Sequence, residues 1–224
     1  MPNAYQNHVI NTLNKFKCKH AWEPLQCIPI DTPQLTRVGY LRPITSNYAI
    51  TIPDCADTLA RWRNENAHMS PGQFVATAES TEKWLNDLII ARNDRILFLI
   101  IANDGTKVGH IGFSSFDYAQ KSCELDAVVR GEKTGYGGMM TFAMNALIYW
   151  GMTELKLQQV TLRVLSDNEK AISFYSKNSF CKVKDIPLET RELAGQPVTR
   201  KCYTQMQLTI DQWKEQNAQW FPKM

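Results

Sequence analysis

The run from Arg130 to Gly138 holds four glycines, and it lies between a predicted strand and a predicted amphipathic helix. Glycines allow a sharp turn and let the backbone approach a ligand closely. Free amide N–H groups and the positive end of the helix dipole would then converge on one place, which suits a pyrophosphate. Arg130 and Lys133 add positive charge beside it. The run therefore predicts an anion-binding turn.

Two common phosphate motifs are excluded for this turn. No Gly-Lys-Ser/Thr follows it, so it is not a P-loop. It also lacks the right-spaced third glycine and the later acidic residue of the dinucleotide fingerprint. Taken alone, the turn could still be a glycine-rich connection that binds no ligand, because isolated glycine motifs have low specificity.

A second segment, from Asn168 to Phe180, follows the predicted strand Val160 to Leu165. Together the two segments resemble the GNAT superfamily of acyl-CoA-dependent N-acyltransferases. Its signature is a strand, a turn of the form Gln/Arg-x-x-Gly-x-Gly/Ala, a helix, a strand, and then Asn-x-x-Ala-x-x-Phe-Tyr-x-x-x-Gly-Phe. The order of predicted elements over residues 35–210 resembles that family as well.

The chain departs from this signature at two positions. Glu132 stands where the turn usually begins with Gln or Arg, and Ser179 stands where Gly usually precedes the final Phe. Neither change removes a backbone amide, so both are expected to leave the binding of CoA intact. The stretch with Trp62-Arg63-Asn64, and the later Trp84-Leu85, resemble a subgroup with ribosomal-protein acetyltransferases and bacterial amino-sugar acetyltransferases.

The resemblance implies acetyl-CoA as co-substrate, held in a split between the strand that ends at Arg130 and the strand Gln159 to Leu165. Backbone groups of Val128 and Val129 would pair with the pantetheine arm, and the turn would bind the pyrophosphate. The residues expected to contact acetyl-CoA are Val128, Val129, Arg130, Lys133, Gly135, Gly137, Gly138, Met139 and Asn168.

The resemblance also assigns catalytic roles. Tyr175 matches the position of a phenol that donates a proton to the departing thiolate. The acceptor must be a neutral amine, and its proton needs a base. Glu124 and Asp126 are the first candidates because side chains at i and i+2 share one face of a strand, and a carboxylate in a partly desolvated cleft has a raised pKa. His110 on the neighbouring strand is the runner-up, although a buried, hydrogen-bonded histidine is the common alternative.

The resemblance also implies that the first two helices and a late hairpin recognise the acceptor. The aromatic, amide and basic groups there suit an amino sugar, and the basic loop Glu189 to Lys201 suits the diphosphate of a nucleotide-linked sugar. The expected acceptor contacts are Trp62, Arg63, Asn64, His68, His110, Arg191 and Arg200. A protein N-terminal or lysine acetyltransferase is the alternative. A non-catalytic acyl-CoA-binding module is a further one, which the combination of Tyr175, Glu124 and Asp126 disfavours.

Composition excludes several other classes of protein. The net charge of +3 is too even to indicate a nucleic-acid partner. No apolar run reaches the ~18 residues of a membrane span, and the polar start of the chain lacks the features of a secretory signal. We therefore expect a cytoplasmic protein with reduced cysteines. Cys18, His20 and Cys27 lack the second ligand pair of a zinc site, so no metal is expected. Dimers are common in the family, which leaves a homodimer open.

Predicted elements must position these residues. Residues 1–34 are predicted to form an N-terminal extension with a helix near Tyr5 to Lys17, packed on the main domain or on a partner. Residues 35–210 would form the acyltransferase domain, and residues 211–224 a C-terminal helix and tail. Antiparallel strands interrupted by two strand-to-helix crossovers predict an α/β (α+β) fold with a mixed, mostly antiparallel sheet flanked by helices.

Overall fold

The computed structural model describes residues 3–20, 22–69, 72, 74–188 and 202–217. In these ranges a sheet of eight strands is flanked by helices. The strands are β1 Ile28–Asp31, β2 Arg37–Pro43, β3 Ile96–Ala102, β4 Lys107–Asp117, β5 Ser122–Arg130, β6 Gln159–Leu165, β7 Cys181–Pro187 and β8 Cys202–Thr209. The helices are α1 Ala4–Phe16, α2 Tyr48–Thr51, α3 Cys55–Glu65, α4 Ala78–Trp84, α5 Met139–Thr153, α6 Glu169–Lys177 and α7 Ile210–Gln216. A 3₁₀ turn covers Ala67–Met69, and α4 continues into a π-helical stretch, Leu85–Ile90.

The strands lie in the order β1-β2-β3-β4-β5-β6-β8-β7. Within this sheet β5 and β6 form a parallel pair, whereas the other neighbours are antiparallel. A parallel pair needs a crossover connection, and α5 supplies it. The predicted mixed, mostly antiparallel sheet flanked by helices is thereby confirmed. No helix in the described part of the chain is long and apolar enough to cross a membrane.

Each face of the sheet carries its own apolar core. On one face α1, α5 and α7 pack against inward-facing side chains of the strands, around Trp150 and Trp213. On the other face α2, α3 and the π-helical stretch pack around Trp62 and Leu85. Alternate residues of β3 divide between the two cores, so this strand is buried along its whole length. Burial on both faces explains why its sequence is a continuous apolar run.

The N-terminal residues are joined to this sheet. Val9, Leu13 and Phe16 of α1 are buried in the first core, and the Phe16 ring lies edge-on to the Trp150 ring with centroids 4.9 Å apart. Strand β1 pairs antiparallel with β2. The predicted helix near Tyr5 to Lys17 is therefore present, and it packs on the main domain of its own chain.

The segment from Tyr48 to Ile52 contains two isoleucines and a threonine, which favour a strand, yet Tyr48–Thr51 is a short helix. Tyr48 and Ile52 are buried, the three residues between them are exposed, and the Ile52 amide donates to the Tyr48 carbonyl at 2.7 Å. This four-residue spacing is helical, and the burial of the two side chains overrides the β-propensity of the isoleucines and threonine.

Three helix starts show which of several neighbouring polar residues acts as the cap. Thr77 and Ser80 form a reciprocal capping box at the start of α4. Asn168 caps α6 in place of Asp167, and Thr209 caps α7 in place of Asp211. Each of these segments offers two or more polar residues that can cap, and tertiary packing decides which one lies at the helix start.

Candidate functional site

The parallel strands β5 and β6 separate after a short paired stretch. They pair over Ser122–Glu124 and Gln159–Thr161 only, although β5 runs on to Arg130 and β6 to Leu165. The backbone edges that face each other beyond Glu124 are therefore free to bind a ligand. This geometry supplies the split strand pair that the sequence predicted.

Two cavities border the split. The first, which we name the strand cavity, has a volume of about 530 Å³ and is lined by residues of α3, α4, β4, β5, β6 and α6, including His110, Asp126 and Arg163. The second, the turn cavity, has a volume of about 610 Å³ and is lined by the glycine-rich turn, α6 and the 3₁₀ turn, including Lys133 and Gly138. Val128, Asn168 and Tyr175 line both, so the two cavities meet at the split.

Tyr175 lies at this junction on helix α6. The Asn168 side chain accepts a hydrogen bond from the Ala171 amide at 3.1 Å, which starts the helix and sets its direction. The Tyr175 ring packs edge-on against Phe174 and Phe180, and the residue is 8% exposed. Burial, and then the negative charge of Asp126, raise the pKa of the phenol well above its ordinary value of 10.0. The hydroxyl therefore stays protonated at neutral pH.

The glycine-rich turn is held mainly by its first residues. The amides of Gly131 and Glu132 both donate to the Val108 carbonyl at 2.9 Å. The Arg130 guanidinium donates to the carbonyls of Glu132 and Lys133 at 3.0 Å. Arg130 was predicted to contact the cofactor, and in this structure its side chain ties the turn together.

The later residues of the turn are open. Gly135 and Gly138 have positive φ angles of 86° and 77°, which favour glycine. A Cβ added at Gly137 would have no heavy atom within 4 Å. Among the described residues we find no hydrogen-bond acceptor for the amides of Gly137 and Gly138, whereas Met139 donates to Tyr136 at 3.3 Å. Free amides, open space and the start of the 15-residue helix α5 fit an anionic group.

Glu124 and Asp126 point into the strand cavity from one face of β5, as predicted. The Glu124 carboxylate accepts two hydrogen bonds of 2.8 Å from the Arg163 guanidinium, which lies over the Tyr203 ring. Asp126 has looser partners. Its Oδ1 accepts from the Ala127 amide at 2.7 Å, and its Oδ2 lies 3.7 Å from Arg95 Nη1. Asp126 is thus the less tightly paired of the two carboxylates.

A β-bulge in β5, beside Asp126, brings a backbone carbonyl within hydrogen-bond distance of His110. Gly112 pairs with Asp126 and His110 pairs with Val129, so β5 has one extra residue between these points. Ala127 in the bulge has a positive φ of 51°. Its carbonyl accepts a hydrogen bond from His110 Nδ1 at 2.6 Å. Burial lowers the pKa of His110 from 6.5 to about 4, which the hydrogen bond and Asp126 only partly oppose.

Some of the residues predicted to recognise the acceptor line the two cavities, and others do not. Arg63 and His110 line the strand cavity, and His68 lines the turn cavity. Trp62 lines neither, because it is fully buried against His110 and beneath Gly131, so its predicted contact with the acceptor is wrong.

Of the other three predicted acceptor residues, one lies away from both cavities and two lie outside the described residues. Asn64 holds the backbone of Ala76 through two hydrogen bonds of 2.8 and 2.9 Å and lines neither cavity. Arg191 and Arg200 lie outside the described residues. Sequence reasoning missed Arg163 and Tyr203, which only the pairing of β5, β6 and β8 brings to the site. In the described ranges no group of three or more His, Cys, Asp or Glu side chains is placed to hold a metal ion.

Comparison with known proteins gives one family and a set of similar folds. Residues 41–180 match the family model described as "Acetyltransferase (GNAT) domain". The acetyltransferase PseH of Campylobacter jejuni is 26% identical over 128 residues, which are 55% of this chain and 75% of that protein.

Two solved structures have a similar fold. One is described as a probable GNAT-family acetyltransferase from Chromobacterium violaceum, with a TM-score of 0.67, 15% identity and coverage of 85% of this chain and 89% of that one. The other is apo FdhC, described as a nucleotide-linked sugar GNAT, with a TM-score of 0.62, 16% identity and coverage of 82% and 93%.

Proposed function

Because this chain belongs to the acetyltransferase (GNAT) domain family, we propose that it transfers an acetyl group from acetyl-CoA to a primary amine. The observation that carries the proposal is the position of Tyr175. This buried, protonated phenol lies where the split between β5 and β6 joins two cavities. A two-cavity site with a proton donor at the junction suits transfer of a group from one bound molecule to another.

The residues of the chain fit acetyl-CoA, which GNAT acetyltransferases use. When bound, acetyl-CoA supplies the acetyl group and a thiolate leaving group. The free amides of Gly137 and Gly138 and the exposed Lys133 would bind its pyrophosphate. The unpaired edge of β5 at Val128 would hydrogen-bond the pantetheine arm. Asn168 lies beside that path, although its side-chain oxygen is already engaged in capping α6.

Tyr175 then acts as the proton donor to sulfur. A thiol has an ordinary pKa near 8.5, so its thiolate leaves fairly well and the donated proton gives only moderate assistance. General acid–base groups contribute typically ~10²–10⁴-fold, and we expect the low end of that range here. The phenol is suited to this role because burial keeps its proton in place.

For the acceptor we favour an amino sugar, and in particular a nucleotide-linked one. The strand cavity combines aromatic side chains, Phe74 and Trp84, with the cations of Arg63 and Arg163. Aromatic rings suit the CH faces of a sugar, and guanidinium groups suit its hydroxyls and a diphosphate. The similarity in fold to FdhC is consistent with this choice. A protein N-terminus or lysine is the alternative acceptor, and a non-catalytic acyl-CoA-binding module is the other alternative.

A release assay tests these possibilities. Free thiol is measured from acetyl-CoA with amino-sugar nucleotides, free amino sugars and short peptides in parallel. We expect turnover with an amino-sugar nucleotide. Turnover of peptides alone would favour the protein acetyltransferase, and binding of CoA without any amine-dependent turnover would favour the binding module.

Variants of two basic residues in the late loop test whether the acceptor is linked to a nucleotide. Arg191→Ala or Arg200→Ala should raise the KM for an amino-sugar nucleotide, and leave the affinity for acetyl-CoA intact, because these cations are expected to meet the diphosphate. The wild-type KM should also rise with salt. A KM that is unchanged in both variants and insensitive to salt would contradict a nucleotide-linked acceptor.

A further inference from the structure

We propose that His110 is the group that removes the proton from the acceptor amine, through its Nε2 atom. The inference deepens the proposed function and rests on it, because it names the proton acceptor of that reaction. Three groups of the strand cavity were candidates from the sequence, namely Glu124, Asp126 and His110. The geometry around each of them distinguishes their roles.

The β-bulge decides which nitrogen of His110 carries hydrogen. A carbonyl oxygen can only accept a hydrogen bond, so the 2.6 Å contact from Nδ1 to the Ala127 carbonyl requires the hydrogen to lie on Nδ1. Nε2 of the neutral ring is then an acceptor with a free lone pair. Trp62 packs against the imidazole, with ring centroids 6.1 Å apart, and fixes its orientation. The ring is thus set in the tautomer that a base requires.

Nε2 is open to the strand cavity. His110 lines that cavity although the whole residue is only 6% exposed. The described part of the chain contains five fully enclosed side-chain N or O atoms without a partner, and His110 Nε2 is not one of them. No hydrogen bond to Nε2 is found among the described residues either. The lone pair therefore faces the space that an acceptor amine would enter.

The two carboxylates are less suited to taking the proton. Both oxygens of Glu124 accept hydrogen bonds from Arg163, so neither is free to take a proton from the amine. Asp126 has one oxygen engaged by the Ala127 amide and the other near Arg95. A carboxylate in that position is suited to holding the incoming neutral amine beside His110, by accepting a hydrogen bond from one of its N–H groups.

Atoms and electrons balance with His110 in this role. The amine nitrogen forms a bond to the acetyl carbon as the C–S bond breaks. The nitrogen becomes acidic as that bond forms, and its proton passes to His110 Nε2. The sulfur takes the proton of the Tyr175 hydroxyl. Solvent then removes the proton from the imidazolium and restores the phenol.

His110→Asn separates proton transfer from structural support. An asparagine side chain can still donate an N–H to the Ala127 carbonyl, but it has no basic nitrogen. We expect kcat with the best amine of the panel to fall by ~10²-fold or more, while the KM for acetyl-CoA stays within about twofold. His110→Ala in 50 mM imidazole should regain part of this loss. The matched control is Tyr175→Phe, which imidazole should not rescue.

A measurement on the free protein needs no turnover. Nitrogen-15 spectra of the histidine rings, assigned by the loss of one ring signal in His110→Asn, should give a neutral Nδ1–H tautomer for His110 between pH 5.5 and 8. The charged or titratable groups around the ring are Asp126 on β5 and the other cavity residues, which are Arg63, Glu124, Arg163, Tyr175 and Tyr203.

The outcomes distinguish a failure of the role proposed for His110 from a failure of the proposed acetyltransferase function. An Nε2–H tautomer, or wild-type turnover in His110→Asn with chemistry shown to be rate-limiting, would overturn the role of His110 and leave the proposed function standing. A wild-type protein that acetylates no amine would overturn both. Loss of turnover in His110→Asn, rescue of the alanine variant and the Nδ1–H tautomer together support the inference.

Discussion

The guanidinium of Arg163 donates two hydrogen bonds of 2.8 Å to the carboxylate of Glu124, at the point where the backbone pairing of their strands ends. Glu124 is the last β5 residue with a backbone partner on β6, which is Thr161. A side-chain ion pair therefore joins the two strands where their ladder stops. The carboxylate is largely buried, with 15% of its side chain exposed, whereas Arg163 is 48% exposed.

Glu124→Gln should weaken this junction. A hydrogen bond to a charged partner is worth ~1.5–3 kcal/mol, and partial exposure of Arg163 reduces the gain, so we expect a loss of about 1–2 kcal/mol in the free energy of unfolding. The KM for acetyl-CoA should rise because the split is less firmly held, while kcat falls by less than about tenfold. Urea denaturation and initial rates measure both. Asp87→Asn, which breaks the exposed pair with Lys83, is the control and should leave stability nearly unchanged. A ~10³-fold drop in kcat would instead make Glu124 catalytic.

Tyr175→Phe keeps the packing against Phe174 and Phe180 and removes the proton donor. We expect kcat to fall by ~10²-fold at saturating substrates, with little change in melting temperature. Because burial raises the pKa of this phenol above 10.0, the wild-type hydroxyl stays protonated up to that pH. If the wild-type enzyme loses activity between pH 8 and 10, a group other than Tyr175 is responsible. The same loss should therefore be seen in Tyr175→Phe. Tyr118→Phe, which lines neither cavity, is the control, and equal turnover in both variants would contradict the assignment.

Gly131 and Gly137 should respond differently to alanine. A Cβ at Gly131 would lie 1.9 Å from the buried Trp62 ring, whereas a Cβ at Gly137 would meet nothing within 4 Å. Gly131→Ala should therefore lower stability by ~3 kcal/mol or more, because a packed core cannot relax around the clash. Gly137→Ala should leave stability nearly unchanged.

Gly137→Val should also fold, yet raise the KM for acetyl-CoA by roughly tenfold by blocking close backbone approach. Calorimetry that finds unchanged CoA affinity in Gly137→Val would count against the pyrophosphate site.

Ser179→Gly should stabilise the protein. Ser179 follows the end of α6 with a φ of 74°, the left-handed conformation that terminates many helices and that glycine adopts without strain. Relief of that strain is worth ~1 kcal/mol, offset in part by the greater entropy of glycine in the unfolded chain. We expect a net gain of about 0.5 kcal/mol. Ser176→Gly, within α6, should instead destabilise by a similar amount. A destabilised Ser179→Gly would show that the serine side chain contributes more than its strain costs.

Lys17 should make stability depend on pH. It is fully buried and donates to the Arg92 carbonyl at 2.5 Å, and burial lowers its pKa from 10.5 to about 7. Above pH 7 the unfolded chain keeps this proton while the folded protein loses it, so stability rises with pH through the window from about 7 to 10.5. Below pH 7 both states are charged and the burial penalty is complete. Lys17→Met should be more stable than the wild type at pH 7. This difference in the free energy of unfolding should shrink by roughly 2–3 kcal/mol between pH 7 and 9. Exposed Lys15→Met serves as the control, and a difference that is flat with pH would rule out the titration.

Strand β6 spans Gln159–Leu165 and β5 ends at Arg130, as the sequence predicted, because alternating side chains and flanking turn residues mark these ends. The ion pair of Glu124 with Arg163 could not be foreseen, since it depends on the register between strands 39 positions apart. The bulge at Ala127 had no sequence signal, because no glycine marks its positive φ. The orientation of His110 depends on that bulge, so the sequence could name His110 as a candidate base but could not rank it above the two carboxylates.

Helix α1 and strands β1, β7 and β8 lie outside the family range of residues 41–180. Yet β8 pairs with β6 along seven residues, and Phe16 of α1 closes the core around Trp150. The inherited family segment is therefore smaller than the unit that folds. A chimera that exchanges only that segment with a relative would place a foreign β6 against the native β8 and a foreign α5 against the native α1. Recombination between such enzymes should succeed where the crossover points respect those two contacts.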